Sequence, residues 1–176
     1  MTRRSTQQTY GSIARTMHWC SLALISLMVM LGMTMTRIDG GANDAMYRAH
    51  VAVGLLVSVI TIARVIWRIV EPTPEPIPMP PWRRRLYLAN HYGLYIGLVL
   101  LALTGISILV SNDAGIAPWS IHAADIEESS AGDAHFALVI VYTGLYLMHV
   151  IGVLSYQRTK GDVLARMGVR APSPQT

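Results

Sequence analysis

Cysteine is almost absent from this chain of 176 residues, in which Cys20 is the single example. One cysteine cannot form a disulfide within the chain, and it supplies neither a C-x-x-C-H haem attachment motif nor the thiolates of an iron–sulfur cluster. Charge is scarce as well, because 14% of the residues are charged whereas 52% are hydrophobic. A soluble domain of this size needs more polar surface, so the composition indicates a small integral membrane protein.

Four apolar stretches run through the chain, each built around a window without charged residues. They cover residues 13–36, 44–70, 84–111 and 134–157. A helix needs about 20 such residues to cross the bilayer, and Asn43 or Asp44 can cap the second one. We predict an all-α fold, an integral membrane four-helix bundle, with a single transmembrane domain over residues 1–170 and a short tail over 171–176.

The first apolar stretch follows Arg3 and Arg4, and so has the outline of a secretion signal. No small-x-small cleavage site follows it, and it is as long as a full membrane span. We therefore expect it to be retained as the first helix.

Basic residues favour one orientation of the bundle. They precede the first span, separate the second from the third and follow the fourth: Arg3, Arg4, Arg15, Arg83, Arg84, Arg85, Arg158, Lys160, Arg166 and Arg170. The other two connections hold Arg37 and Arg48 in one and only acidic charges in the other. This asymmetry predicts that both termini lie in the cytoplasm. Because the arginines flank apolar runs, the net charge of +4 does not indicate a nucleic-acid partner.

The connection between the second and third spans is rich in proline, reading E-P-T-P-E-P-I-P-M-P-P from Glu71 to Pro81. Proline removes backbone donors and favours an extended conformation. We expect the second helix to end at about Val70 and a stiff linker to follow, with little support for a site that docks a proline-recognising partner.

Two histidines of the fourth span, His135 and His149, stand fourteen residues apart. On a helix this spacing places both imidazoles within about 40° of each other and roughly 21 Å apart along the axis. Ionisable side chains at membrane depth indicate a functional site. Both therefore face inward, near opposite sides of the bilayer.

The remaining membrane histidines match these two depths. His50 lies at the outer level with His135, whereas at the inner level His149 can face either His18 or His91. A six-coordinate haem b iron takes one imidazole from each side, so facing pairs at one depth suit haem. His122 falls in an outer loop, where we expect an ordinary interfacial imidazole.

Arginines provide candidate partners for the haem propionates. Arg64 follows His50 by fourteen residues and therefore shares its face at the inner level. Its guanidinium can hold a propionate or reach the lipid headgroups, and the residues leave this open. For Arg68 we favour the headgroups, and on the outer side Arg48 or Arg37 can serve the propionates.

Two further patterns have simpler explanations. Several glycines fit close approach of helices or of a flat macrocycle: residues 54, 93, 97, 105, 144 and 152. Four methionines in the first span suggest Cu(I) binding at first sight: Met28, Met30, Met33 and Met35. Alternating positions on a helix point to different faces, so these methionines are expected to face lipid or fill the core.

In order and spacing, these motifs resemble the bacterial cytochrome b561 family, which is related to the cytochrome b subunits of nickel–iron hydrogenases and formate dehydrogenases. The motifs are R-T-M-H-W at 15–19, Y-R-A-H at 47–50, R-V-I-W-R before the proline-rich linker, N-H at 90–91 and H-x13-H in the last span. The resemblance implies two haem b groups, held by His18 with His149 and by His50 with His135. It also implies that His91 lies beside the inner haem.

The expected function is that of a di-haem b electron carrier in the bacterial inner membrane. By the resemblance, it would exchange electrons between an outer donor, such as superoxide or a partner redox protein, and ubiquinone or another membrane quinone. One alternative is a haem b anchor subunit for a partner dehydrogenase, and another is a haem-free transporter or scaffold. We assign no catalytic residue, because the acidic side chains lie in loops or at span ends.

Overall fold

A computed structural model describes residues 3–38, 41–126, 128–160 and 163–169. Within these ranges the regular secondary structure is helical and contains no strand, which confirms the predicted fold class. The helices are α1 (Ser12–Met35), α2 (Gly41–Val70), α3 (Pro81–Ser111), α4 (Ser130–Lys160) and the short α5 (Val163–Arg166). Over the same ranges, α1 to α4 are long and apolar enough to cross a membrane.

The helices begin somewhat earlier than predicted. Helix α2 starts at Gly41, and Asp44 does not cap it but bonds to a distant loop, as described below. Helix α3 starts at Pro81, because proline lacks the N–H group that has no partner at a first helical position. The predicted tail, 171–176, lies outside the described residues, and a single domain over 1–170 stays a prediction.

The bundle consists of two helical hairpins, because α1 packs along α2 and α3 packs along α4. Midway along the bundle, Ile25, Val57 and Tyr142 form a buried core against which side chains of all four helices pack. The outward surface is apolar, with Ile69 79% exposed and Phe136 68% exposed. Such a surface suits contact with lipid rather than water.

We call the two ends of the bundle the hairpin end, where the α1–α2 and α3–α4 connections lie, and the terminal end, where the chain termini and the proline-rich connection lie. At the hairpin end the α3–α4 connection folds back onto α2. Ile121 of this connection is fully buried, and its carbonyl accepts a 2.8 Å hydrogen bond from Arg48 Nε. Asp44 accepts a 2.8 Å hydrogen bond from the Ala123 N–H group. We call these contacts the clasp.

At the terminal end, three segments distant in sequence form one layer. The Ser5 N–H group donates to Glu71 Oε1 at 2.6 Å, and the Glu75 N–H group donates to the Gln7 carbonyl at 2.9 Å. Arg166 donates to the Glu75 carbonyl at 2.8 Å. The proline-rich connection is thus a packed part of the terminal end as well as a linker.

Candidate functional site

The hairpin end holds the first pair of facing imidazoles. The ring centroids of His50 in α2 and His135 in α4 are 6.4 Å apart, and the rings are inclined by 74°. Both rings lie inside the bundle, and Nδ1 of His50 is buried without a hydrogen-bond partner among the described residues. Two helices that are distant in sequence therefore bring together the two histidines predicted to pair.

Thr104 of α3 contacts a ring nitrogen of His135. Its hydroxyl group lies 2.9 Å from the Leu100 carbonyl and 2.9 Å from His135 Nδ1. With its hydroxyl hydrogen directed to the Leu100 carbonyl, Thr104 can accept a hydrogen bond from the Nδ1–H group of His135. The other ring nitrogen of His135 then keeps its lone pair, as metal binding requires.

The terminal end holds the second pair, His18 in α1 and His149 in α4. Their ring centroids are 6.1 Å apart, with the rings inclined by 59°. His91 of α3 also contacts His149, at a centroid distance of 4.9 Å and nearly at right angles. The Nδ1–H group of His91 donates to the Tyr87 carbonyl at 2.7 Å. This end therefore gathers three imidazoles where the hairpin end has two.

The separations of the facing rings test whether a haem iron fits between them. Two imidazoles that bind a metal from opposite sides through nitrogens about 2 Å away have centroids roughly 6 Å apart. The separations of 6.4 Å for His50 with His135 and 6.1 Å for His18 with His149 agree with this value. The 4.9 Å between His91 and His149 is shorter. The two wider pairs fit a haem iron, and His91 fits a neighbour of the second one.

The four other ligands of such an iron come from the porphyrin rather than from side chains. Consistent with this, the described part of the chain contains no group of three or more His, Cys, Asp or Glu residues that could hold a metal ion.

Glycines stand beside both imidazoles of the hairpin-end pair. A Cβ atom added to Gly32 of α1 would lie 3.3 Å from Cε1 of His50, and one added to Gly105 of α3 would lie 3.5 Å from Cε1 of His135. A larger side chain at either position would press on the ring. The absence of a side chain leaves room beside each imidazole for a flat group.

Arg64 lies at the level of the terminal-end pair. Its Nη2 atom is 3.2 Å from His18 Nδ1, and its Cζ atom is 5.6 Å from the centre of the Tyr95 ring. A guanidinium only donates, so His18 Nδ1 accepts this hydrogen bond and the neutral ring carries its hydrogen on the other nitrogen. Arg68, one turn further, is exposed, as expected for a side chain that reaches headgroups.

The arginines of the hairpin end are placed differently. Arg48 donates to the Ile121 carbonyl and lies 3.2 Å from Nδ1 of His122. Its guanidinium is therefore already bonded within the clasp. Arg37 is exposed and donates to the Met33 carbonyl. His122, half exposed, also lies 2.9 Å from Asp44. It is a loop imidazole with polar partners.

Two neighbours of the histidines, Gly32 and Thr104, and the core residue Tyr142 were not predicted. The sequence contains a signal for Gly32. Gly32 and His50 are equally far in sequence from residue 41, and two such residues lie at the same level of an antiparallel helical hairpin. Tyr142 stands midway between His135 and His149, so its helical face was foreseeable too. No sequence pattern singles out Thr104.

An apolar four-helix membrane bundle with facing imidazoles inside it is the architecture of a membrane-bound b-type cytochrome. The comparisons with known proteins agree. A family model described as prokaryotic cytochrome b561 matches residues 9–168, and the chain belongs to this family. It is also similar to the protein named cytochrome b561 homolog 2 of Escherichia coli strain K12, with 29% identity over 179 aligned positions and 95% of each chain covered.

Family membership confirms the resemblance found in the motifs. Together with the four membrane-spanning helices of the described ranges, it makes this chain a haem b-binding electron carrier and a multi-pass protein of the bacterial inner membrane.

Proposed function

We propose that the chain carries electrons across the membrane through two haem b groups, one held by His50 and His135 and the other by His18 and His149. The observation that carries this proposal is the recurrence of a facing imidazole pair at both histidines of α4, with separations of 6.4 Å and 6.1 Å. The two levels are roughly 21 Å apart along the helix. This separation suits electron transfer between two haem sites, one near each membrane surface.

Bound haem b would supply reversible one-electron oxidation and reduction of its iron. The protein contributes ligands, orientation and a dry interior. Thr104 holds the His135 ring with its other nitrogen free, and the core of Ile25, Val57 and Tyr142 fills the bundle between the two levels. This core excludes water from the space that separates the two sites.

The direct test is the haem content of the purified chain. We expect a reduced-minus-oxidised spectrum of a b-type cytochrome and two haem groups per polypeptide. A content of one would reject the second site, and a colourless protein expressed with ample iron would favour the haem-free bundle.

For the orientation, we propose that both termini lie in the cytoplasm and the hairpin end faces outward. The support is the excess of basic residues at the terminal end. Alkaline phosphatase fused after residue 176 should be inactive, whereas green fluorescent protein fused there should fluoresce. The opposite result would reverse the orientation.

For the partners, we propose an outer electron donor, either superoxide or a redox protein, and exchange with ubiquinone or another membrane quinone. Arg37 is an exposed cation of the hairpin end, and an anion is drawn to such a charge in a salt-dependent way. Because the clasp occupies Arg48, Arg37 is the cleaner residue to change.

Superoxide should reduce the wild-type protein faster than Arg37→Glu at low salt, and the difference should shrink at high salt. Arg158→Glu at the terminal end serves as the control. Equal rates for all three proteins would mean that Arg37 does not attract superoxide, and failure of superoxide to reduce the wild-type protein would remove it as the donor. In proteoliposomes, the absence of quinone-dependent haem oxidation would remove the quinone.

A further inference from the structure

The start of α3 contains a cavity of about 430 Å³ that the electron-transfer proposal does not use. Five residues from the proline-rich connection and the first turns of α3 line it: Met79, Pro81, Arg84, Arg85 and Leu88. It lies at the terminal end, where α3 passes from polar to apolar residues. Such a position corresponds to the headgroup region of a bilayer.

Two arginines give this cavity a positively charged wall. The first turn of α3 contains no acidic residue, and the N-terminal end of a helix is itself electropositive. Among the described residues, neither Arg84 nor Arg85 has an ion pair or a side-chain hydrogen bond. Two unpaired guanidinium groups at the positive end of a helix favour binding of an anion.

The same cavity also has an apolar lining. Met79 and Leu88 are partly buried and face it. Nearby, Trp82 is 60% exposed and Leu86 is 55% exposed, as for side chains at the boundary between headgroups and acyl chains. A ligand that satisfies both linings has an anionic head and an apolar body.

We propose that this cavity binds an anionic phospholipid. Arg84 and Arg85 bind its phosphate, and Met79 and Leu88 contact the glycerol and the first acyl carbons. An inorganic phosphate would satisfy the guanidinium groups but would leave the apolar lining uncovered. The geometry therefore selects a lipid over a free anion, consistent with basic pockets at membrane interfaces that hold acidic headgroups.

Arg83 provides a matched control, because its guanidinium lies over the Trp82 ring at 5.6 Å and not on the cavity wall. The test compares Arg84→Gln/Arg85→Gln with Arg83→Gln/Arg158→Gln, which removes two charges from the same end. Binding of dioleoyl phosphatidylglycerol and of dioleoyl phosphatidylcholine to the purified holoprotein is measured by native mass spectrometry. The haem content of each variant verifies that it is folded.

We expect the wild type to prefer phosphatidylglycerol. The Arg84/Arg85 variant should bind it more weakly by about tenfold or more, whereas the control variant should change by less than about twofold. Equal losses of phosphatidylglycerol affinity in the two variants would mean that binding depends on overall charge, and this would overturn the proposed site. Equal binding of the two lipids by the wild type, or displacement of phosphatidylglycerol by millimolar inorganic phosphate, would overturn it as well.

Discussion

The two ends of the bundle hold their paired imidazoles in different states. At the hairpin end, His135 Nδ1 lies 2.9 Å from the Thr104 hydroxyl group, which can accept its hydrogen and leave the other nitrogen for a metal. At the terminal end, Arg64 donates to one nitrogen of His18, so the other nitrogen carries the hydrogen. A haem propionate beside His18 would be a suitable further partner for the Arg64 guanidinium.

The difference arises from the helices around α4 and not from α4 itself, which supplies one histidine to each level. At the hairpin end, Gly32 and Gly105 leave room beside the rings. At the terminal end, a third imidazole, His91, and a guanidinium occupy the corresponding region. The surroundings of the hairpin-end pair are thus less polar than those of the terminal-end pair.

The largest expected effect tests the assignment of ligands at the two ends. His50→Ala and His18→Ala should each lower the haem content from two per polypeptide to one, because a six-coordinate site loses a ligand. His91→Ala should retain both groups, since its 4.9 Å approach to His149 is too short for an opposite ligand. Haem quantification per polypeptide, with low-temperature spectra, measures this. Loss of haem in His91→Ala together with retention in His18→Ala would mean that His91, and not His18, is the ligand opposite His149.

The second-largest expected effect tests the space beside the imidazole rings of the hairpin-end pair. Gly105→Val places atoms against His135, and overpacking of this kind costs about 1–3 kcal/mol. We expect occupancy of the hairpin-end haem to fall while the terminal-end haem is retained. Gly144→Val is the control, because a Cβ atom there has no neighbour within 4 Å. Equal haem loss in both variants would mean that the space beside His135 has no special role.

A smaller effect is expected from Arg64→Gln. A positive charge near a haem stabilises the form with the extra electron by an interaction energy on the order of 1–2 kcal/mol. Removal of that charge should therefore lower the midpoint potential of the terminal-end haem. The hairpin-end potential should stay constant. A spectroelectrochemical titration separates the two, with Arg68→Gln as the control from the exposed next turn. A shift confined to the hairpin-end haem would contradict the placement of Arg64.

The sequence predicted the features that depend on helical periodicity. The four apolar stretches predicted the all-α bundle, and the motifs predicted the family; both are confirmed. The fourteen-residue spacing also placed His50, His135 and Arg64 at their observed levels, although their role as haem contacts stays a prediction. Helical periodicity could not predict whether His18 or His91 faces His149, because this depends on how α1 and α3 pack against α4.

Features that depend on long-range loop contacts escaped prediction. Asn43 or Asp44 was expected to cap α2, and Asp44 instead bonds across the hairpin end to Ala123. Arg48 or Arg37 was expected to serve the outer propionates, which stays a prediction, and the contacts of the Arg48 guanidinium with Ile121 and His122 were not foreseen. Polar side chains near a loop have many partners within reach, and only the folded connection determines which they meet.

The smallest expected effect tests the clasp that covers the hairpin end. Asp44→Asn removes a charge-assisted hydrogen bond to the loop, an interaction that contributes little at a solvent-exposed site. We expect only a slight change in thermal stability but faster reduction of the hairpin-end haem by ascorbate, because the loop opens more often and admits water-soluble reductant. Stopped-flow absorbance measures the rate, and Asp113→Asn on the same connection is the control. If both variants are reduced at the wild-type rate, the loop does not limit access, and the two ends differ in their ligands alone.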